Sequence, residues 1–215
     1  MLVLILFMIN LVSGASTSLN GCSDLNTDKD CIEVYSCGIF DNANTYYLLM
    51  NNVNSDNSCF LIAESNIIFD LNEYTINYAE NPSVQSLLCN TADGAIIGKY
   101  CHFGIVGRGG ERIAIDFPEY LDWNLANNIE IKNGFINQDL NSGPYSEPIR
   151  SSGAGGNWNV HDIHLTVNAL DTKGLWGGRD MIVNNVTVNT GEIDGCVNIR
   201  EHGYPALEIG TGALI

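Results

Sequence analysis

Ile129-Glu130-Ile131-Lys132-Asn133-Gly134-Phe135-Ile136, Trp158-Asn159-Val160-His161-Asp162-Ile163-His164-Leu165 and Met181-Ile182-Val183-Asn184-Asn185-Val186-Thr187-Val188 are one pattern written three times. Each copy reads apolar, any, apolar, any, Asn or Asp, any, any, apolar. The markers are Asn133, Asp162 and Asn185, so the steps from 133 to 162 and from 162 to 185 are 29 and 23. A repeat of that length with short strands in each copy is the signature of a solenoid built from strands. Alternation sends Ile129 and Ile131, Trp158 and Val160, Met181 and Val183 inward. Asn and Asp tolerate the left-handed backbone that a sharp bend needs. Stacked rung on rung, their side chains can also bond to one another. A single coil cannot bury its apolar face, so stacking must complete the core. Long helices are not expected, because Asn, Gly and β-branched residues crowd the repeats and the 3.6 period is scarce. A β-sandwich would space its strands by about 8–12 residues and would carry no fixed marker.

The same alternation puts His161 and His164, three apart, on opposite faces of a strand, one solvated and one packed. It groups Glu130, Lys132, Asn159 and His161 on one outer face, where a surface ion pair is the plain reading. Asn185-Val186-Thr187 is a glycosylation sequon, but the bend role would occupy the Asn185 side chain.

Of the 215 residues, 45% are hydrophobic and 22 are glycine, enough for one core with many bends. Acidic residues outnumber basic ones 25 to 9, a net charge of −16. That balance argues against nucleic acid and anionic membrane surfaces, which need a basic footprint. It suits cations, neutral or basic ligands, or plain solubility. Leu2 to Val12 is an apolar run too short for a comfortable membrane span, and Ser13-Gly14-Ala15 supplies small residues for cleavage. Residues 1–15 therefore read as a secretory signal; an uncleaved anchor is the competing reading. Cys22, Cys31, Cys37, Cys59, Cys89, Cys101 and Cys196 include no C-x-x-C pair, so disulfides in an exported chain are expected instead of zinc. Proximity suggests Cys22–Cys31, Cys37–Cys59 and Cys89–Cys101, with Cys196 left over.

Residues 16–36 are a polar lead-in that would cap the first coil, and residues 37–215 form the repeat region. Residues 37–78 contain Cys37-Gly38, Thr45-Tyr46-Tyr47-Leu48-Leu49, Cys59-Phe60-Leu61-Ile62 and Ser65-Asn66-Ile67-Ile68-Phe69-Asp70-Leu71-Asn72. This order resembles the opening of secreted right-handed parallel β-helix proteins of the pectate-lyase-like superfamily, over 37–78 and again over 120–200. Glu73-Tyr74 departs from it where a glycine bend is usual, so that coil is expected to turn differently. Phe69, Leu71 and Ile76 align with Ile129, Ile131 and Ile136 at a constant offset of 60, as from 76 to 136. That interval is read as two or more coils plus an excursion over 79–101. Residues 137–156 and 191–203 read as further loops. The chain stops on apolar Gly212-Ala213-Leu214-Ile215, which reads as the amino-terminal part of a longer β-helix.

The resemblance implies a polysaccharide groove along the outer side of the sheet that precedes the Asn bend. The matching segments carry Asp122, Arg150, Trp176, Asn198 and Arg200 at outward positions of an alternating strand. Asp122, Arg150 and Arg200 are the candidate catalytic residues; Trp176 and Asn198 are candidates for substrate binding. Arg pairs bidentately with a sugar carboxylate and Trp packs on an apolar sugar face. Calcium-dependent lyases of the superfamily need clustered oxygens, for which Asp180 and Asp194 are the candidates, beside Glu192 and Glu201. Ile193-Asp194-Gly195-Cys196 resembles the Asp-Asp-Cys strand of polygalacturonases, with Gly195 in place of the second Asp. Two functions are carried forward. One is a polysaccharide-binding, structural or adhesive module at the cell surface or outside the cell. The other is a polysaccharide lyase or glycoside hydrolase, with calcium as its candidate cofactor.

Overall fold

The computed structural model describes residues 18–80, 89–91, 94–96, 102–108, 126–140, 146–151, 156–168, 174–177, 181–189, 197–201 and 207–209. For 89–91, 94–96, 176–177, 197–201 and 207–209 it describes the backbone alone. These residues are all-β, with mostly parallel strands and no α-helix; Cys22–Asp24 makes one 3-10 turn.

Among the described residues seventeen strands fall into three sheets. The first sheet takes β1 (Asp30–Val34), β3 (Thr45–Leu49), β4 (Val53–Asn54), β6 (Ile68–Asp70), β7 (Thr75–Tyr78), β11 (Ile129–Gln138), β13 (Trp158–Thr166) and β15 (Ile182–Asn189). The second takes β2 (Gly38–Phe40), β5 (Phe60–Ile62), β10 (Phe103–Gly107), β12 (Glu147–Arg150), β14 (Leu175–Gly177), β16 (Val197–Glu201) and β17 (Leu207–Ile209). A hairpin of β8 (Cys89–Thr91) and β9 (Gly94–Ile96) stands apart. From β2 to β16 the chain alternates between the two large sheets, and each return lays its strand parallel to the one before. Of the strands in these two sheets, only β17 joins antiparallel.

The register stacks like on like. Tyr47, Phe69, Ile131, Val160 and Val183 form one column. Val53, Ile76, Ile136, Leu165 and Val188 form a second. Phe60, Ile105, Ile149 and Leu175 form the facing column in the other sheet. Most of these are fully buried. Each large apolar side chain contributes about 2 kcal/mol by leaving water. At the first coils Phe40, Tyr47, Phe60 and Phe69 pack ring on ring with centroids 3.9–5.1 Å apart.

The bend residues are vertically aligned, as the repeat predicts. Lys132 pairs with His161 and Gly134 with Ile163, which sets Asn133 beside Asp162; the next register sets Asp162 beside Asn185. Their φ angles are 58°, 54° and 50°. All three are left-handed. Asn133 Nδ2 donates to both Asp70 oxygens at 3.2 Å, and Asn185 Nδ2 donates to Asp162 Oδ1.

Three expectations need correction. The interval from Phe69 to Ile131 makes one coil, not two, because β6 pairs directly with β11. The offset is not constant either: Phe69 meets Ile131 before the bend, whereas Ile76 meets Ile136 after it. Leu71-Asn72-Glu73-Tyr74 is the cause. It turns with two left-handed residues, Asn72 (φ 50°) and Glu73 (φ 66°), and is longer than the Asn133-Gly134 bend above it. Finally, His161 and His164 both lie outside. The left-handed Asp162 between them resets the alternation, so Val160, Ile163 and Leu165 are buried and the two histidines are not.

The lead-in adds β1 to the first sheet, parallel to β3. Asn72 grips Leu19 by its backbone N–H and carbonyl, and Lys29 Nζ donates to the Asn66 carbonyl at 2.9 Å. Disulfides join Cys22 to Cys31 and Cys37 to Cys59. Such bonds belong to oxidising compartments. Among the described residues no helix is long and apolar enough to cross a membrane. Residues 1–15, Cys101 and Cys196 lie outside the described residues.

Gly134 is where this coil can be tested. A Cβ there would sit 2.4 Å from Leu71 Cβ and 2.8 Å from the Tyr74 carbonyl oxygen. The longer lower turn fills the space that any side chain would need. Gly134→Ala should therefore destabilise the protein by about 1–3 kcal/mol, read from urea unfolding. An unchanged midpoint would show that the 71–74 turn moves aside freely.

Candidate functional site

The second sheet brings three of the five predicted groove residues to one register position. Arg150 pairs with Trp176, and Trp176 with Arg200. The row continues the other way through Val106 and Leu61. Both are almost fully buried although their neighbours Phe60, Ile105 and Ile149 are the ones that form the core. That end of the sheet's outer face is therefore covered. Asn198 lies on β16, two residues before Arg200. Both places beside β12 are taken, by β10 and β14, so Val106 is the neighbour of Arg150. Asp122, Asp180, Asp194, Glu192 and the Asp-Gly-Cys segment lie outside the described residues.

Arg150 is held from below. Its Nη1 lies 3.1 Å from Glu147 Oε2, with side chains 14% and 3% exposed. Its guanidinium carbon stands 5.5 Å from the centre of the Phe103 ring. A planar guanidinium braced by a carboxylate and a ring keeps its fork geometry, which suits a carboxylate ligand. The buried carboxylate beside it is already ion-paired, so it is poorly suited to act as a general base. Burial, and then the Glu147 charge, push the Tyr78 phenol well above its ordinary value and keep it protonated. The Tyr78 hydroxyl is buried with no hydrogen-bond partner among the described residues, an uncommon state for a buried polar group.

A second polar cluster lies on the outer face of the other sheet. Lys132 Nζ is 2.8 Å from Glu130 Oε1. His161 Nε2 lies 3.3 Å from the same Glu130 oxygen, and His161 Nδ1 lies 2.7 Å from Asp162 Oδ2. Burial works to raise the Glu130 carboxyl, but Lys132 and His161 outweigh it and leave it below its usual value. Hydrogen bonds from Asn185 and His161 lower Asp162 in the same direction. One coil down, Asp70 is 3% exposed and accepts from the Tyr46 hydroxyl and the Asn72 N–H. Burial, then Asp70, raise the Tyr46 phenol. The expected ion pair at Glu130 is thus present, and His161 makes it a network.

Sequence reading missed two further ladders. Asn128 Nδ2 donates to Asn66 Oδ1 at 2.9 Å, and Asn157 Nδ2 to Asn128 Oδ1 at 3.0 Å. Asn77 Nδ2 donates to Asn54 Oδ1 at 2.8 Å, and Asn137 Nδ2 to Asn77 Oδ1 at 3.2 Å. The signal for the first was an Asn followed by a large apolar residue at the start of each repeat: Asn66-Ile67, Asn128-Ile129, Asn157-Trp158. Among the described residues no group of three or more His, Cys, Asp or Glu is arranged to hold a metal. No protein-family model, curated protein or solved structure matches the chain.

The brace under Arg150 gives a measurable consequence. Glu147→Ala removes the carboxylate from a largely buried guanidinium and should cost about 3 kcal/mol, with Glu147→Gln costing less. Chemical unfolding of both variants checks this; parent-like stability in Glu147→Ala would show that the pair contributes little to the fold.

Proposed function

We propose that the chain is a right-handed parallel β-helix resembling the pectate-lyase-like superfamily, exported from the cell, and that it binds acidic polysaccharide without cleaving it. What supports the architecture is the alternation of parallel strands between two sheets, with bend residues in register. What supports the ligand is the single register position shared by Arg150, Trp176 and Arg200. Strands lie about 4.8 Å apart, so two guanidinium-bearing residues flank an indole-bearing one over three neighbouring rungs. Guanidinium groups recognise uronate carboxylates and an indole covers the apolar face of a sugar. With a net charge of −16, attraction to a polyanion must be local to this row and must weaken with salt. The role is that of a surface-exposed or secreted adhesive or structural module whose partner is a cell-surface glycan.

Titration calorimetry of the full chain with polygalacturonate and with a neutral glucan tests the reading. The acidic polymer should bind and the neutral one should not. Trp176→Ala and Arg200→Ala should each weaken binding about tenfold, the equivalent of about 1.4 kcal/mol, with the circular-dichroism spectrum unchanged. Absence of binding by the folded parent, or parent-like binding by both variants, would discard the site. Accumulation of an unsaturated sugar product, with or without calcium, would replace binding by lyase activity.

A further inference from the structure

We propose that Glu130, His161 and Asp162 form a proton-dependent clasp that fastens β13 to β11 across the one step where the bend ladder is interrupted. The bend ladder joins Asn133 to Asp70 and Asn185 to Asp162. Between Asn133 and Asp162 no side-chain hydrogen bond forms among the described residues. A carboxylate only accepts, and the Asn133 amide is already turned down to Asp70. His161 bridges this same step, reaching Glu130 on β11 through Nε2 at 3.3 Å and Asp162 through Nδ1 at 2.7 Å. Through Asp162 the chain of contacts continues to Asn185 on β15.

The chemistry of the ring makes the clasp depend on a proton. Neutral imidazole carries one N–H, so it serves one carboxylate and turns a lone pair to the other. Imidazolium carries two and serves both. Histidine is the side chain whose charge ordinarily changes between roughly pH 5 and 8. The charged groups facing it among the described residues are Glu130 and Lys132 from β11 and Asp162 on its own strand. β15 offers Asn184 and Asn185, both uncharged. Asp70 and Tyr46 lie beyond Lys132 along the same face.

The signs follow from these partners. Only the doubly protonated His161 ring can donate to both carboxylates, so that part of the clasp needs the added proton. Glu130 and Asp162 are held below their usual values. Their contribution is present above the ordinary carboxylate range and is lost as pH falls through it. The clasp is therefore lost when the ring gives up its second proton and when the carboxylates take theirs up. It rests on side chains of the first sheet and is independent of glycan binding.

Urea unfolding of the full chain and of His161→Gln, at a series of pH values from about 5 to 8, tests it. The folding constant of the parent relative to the variant should be highest near the acid end and should fall about three- to fivefold by the alkaline end, the scale of a partly exposed ion pair. The same series in a Glu130→Gln background should change less, because only Asp162 then remains to receive the second proton's bond. A ratio that does not change with pH, or one that changes equally without Glu130, overturns the proposal. Should His161→Gln fail to fold, the ring nitrogen signals of His161 in the labelled parent decide. Both ring N–H protons shielded from exchange with water at the acid end support the clasp, and two freely exchanging ring protons there sink it.

Discussion

Much of the described structure depends on a backbone problem that recurs at two corners, one before a strand and one in mid-strand. A strand that must turn without leaving its sheet needs a residue with positive φ, and L-residues other than Asn and Asp resist that conformation. Among the described residues, eight of the ten non-glycine positions with positive φ are Asn or Asp: Asn44, Asn66, Asn72, Asn128, Asn133, Asn157, Asp162 and Asn185. Once there, an amide has a second use. It can donate to one neighbouring coil and accept from the other. Each such bond contributes only about 1 kcal/mol net, but it also fixes the vertical register. Register in turn decides which side chains meet in the core, because slipping by one residue would turn a strand inside out.

What was legible in the sequence was whatever this constraint writes locally. The alternation around Asn133, Asp162 and Asn185 gave the inward columns and their order correctly, and the spacing of those three markers is the observed register. Two disulfides followed from proximity. The size of the coil before Asn133 was not legible. An excursion over 79–101 was expected, but the length of the interval was also read as extra coils, whereas β6 pairs directly with β11. The turn at Leu71 to Tyr74 shows the opposite case. Its departure from an Asn-Gly bend was visible, and the price appears one coil later, at Gly134, where no side chain has room. Sequence marks that glycine as a bend residue, but the reason for it lies a whole coil upstream, in the partner turn.

The register of the candidate row was legible to a lesser degree. Strand alternation placed Arg150, Trp176 and Arg200 in one row, because register between adjacent coils follows from the apolar residues Ile149, Leu175 and Ile199. What alternation cannot supply is the company a side chain keeps. Glu147 precedes Arg150 by three residues, a spacing with no special meaning on an extended strand, yet it is Arg150's ion-pair partner. His161 and His164 failed for a related reason. Parity counts hold only while every residue is extended, and Asp162 is not.

The ladders also have a direction, and that direction limits where an acid can stand. In the amide bonds of all three ladders, Nδ2 belongs to the later coil and the acceptor oxygen to the earlier one. An Asp in such a ladder can receive from the coil above but gives nothing to the coil below. Asp70 meets this condition because Asn133 stands above it. Asp70 lies at the covered end, where Tyr46 and the Asn72 N–H take up its oxygens from its own side. Asp162 has no such cover; it stands in mid-stack, over an Asn whose amide already points down. An ordinary Asn at 162 would have closed the gap with one neutral bond. The Asp instead leaves a missing rung and a carboxylate beside it, and His161 occupies that position with Glu130 on its far side. The charge network on this face is therefore tied to the ladder: it is what an acid in the middle of a one-way ladder requires.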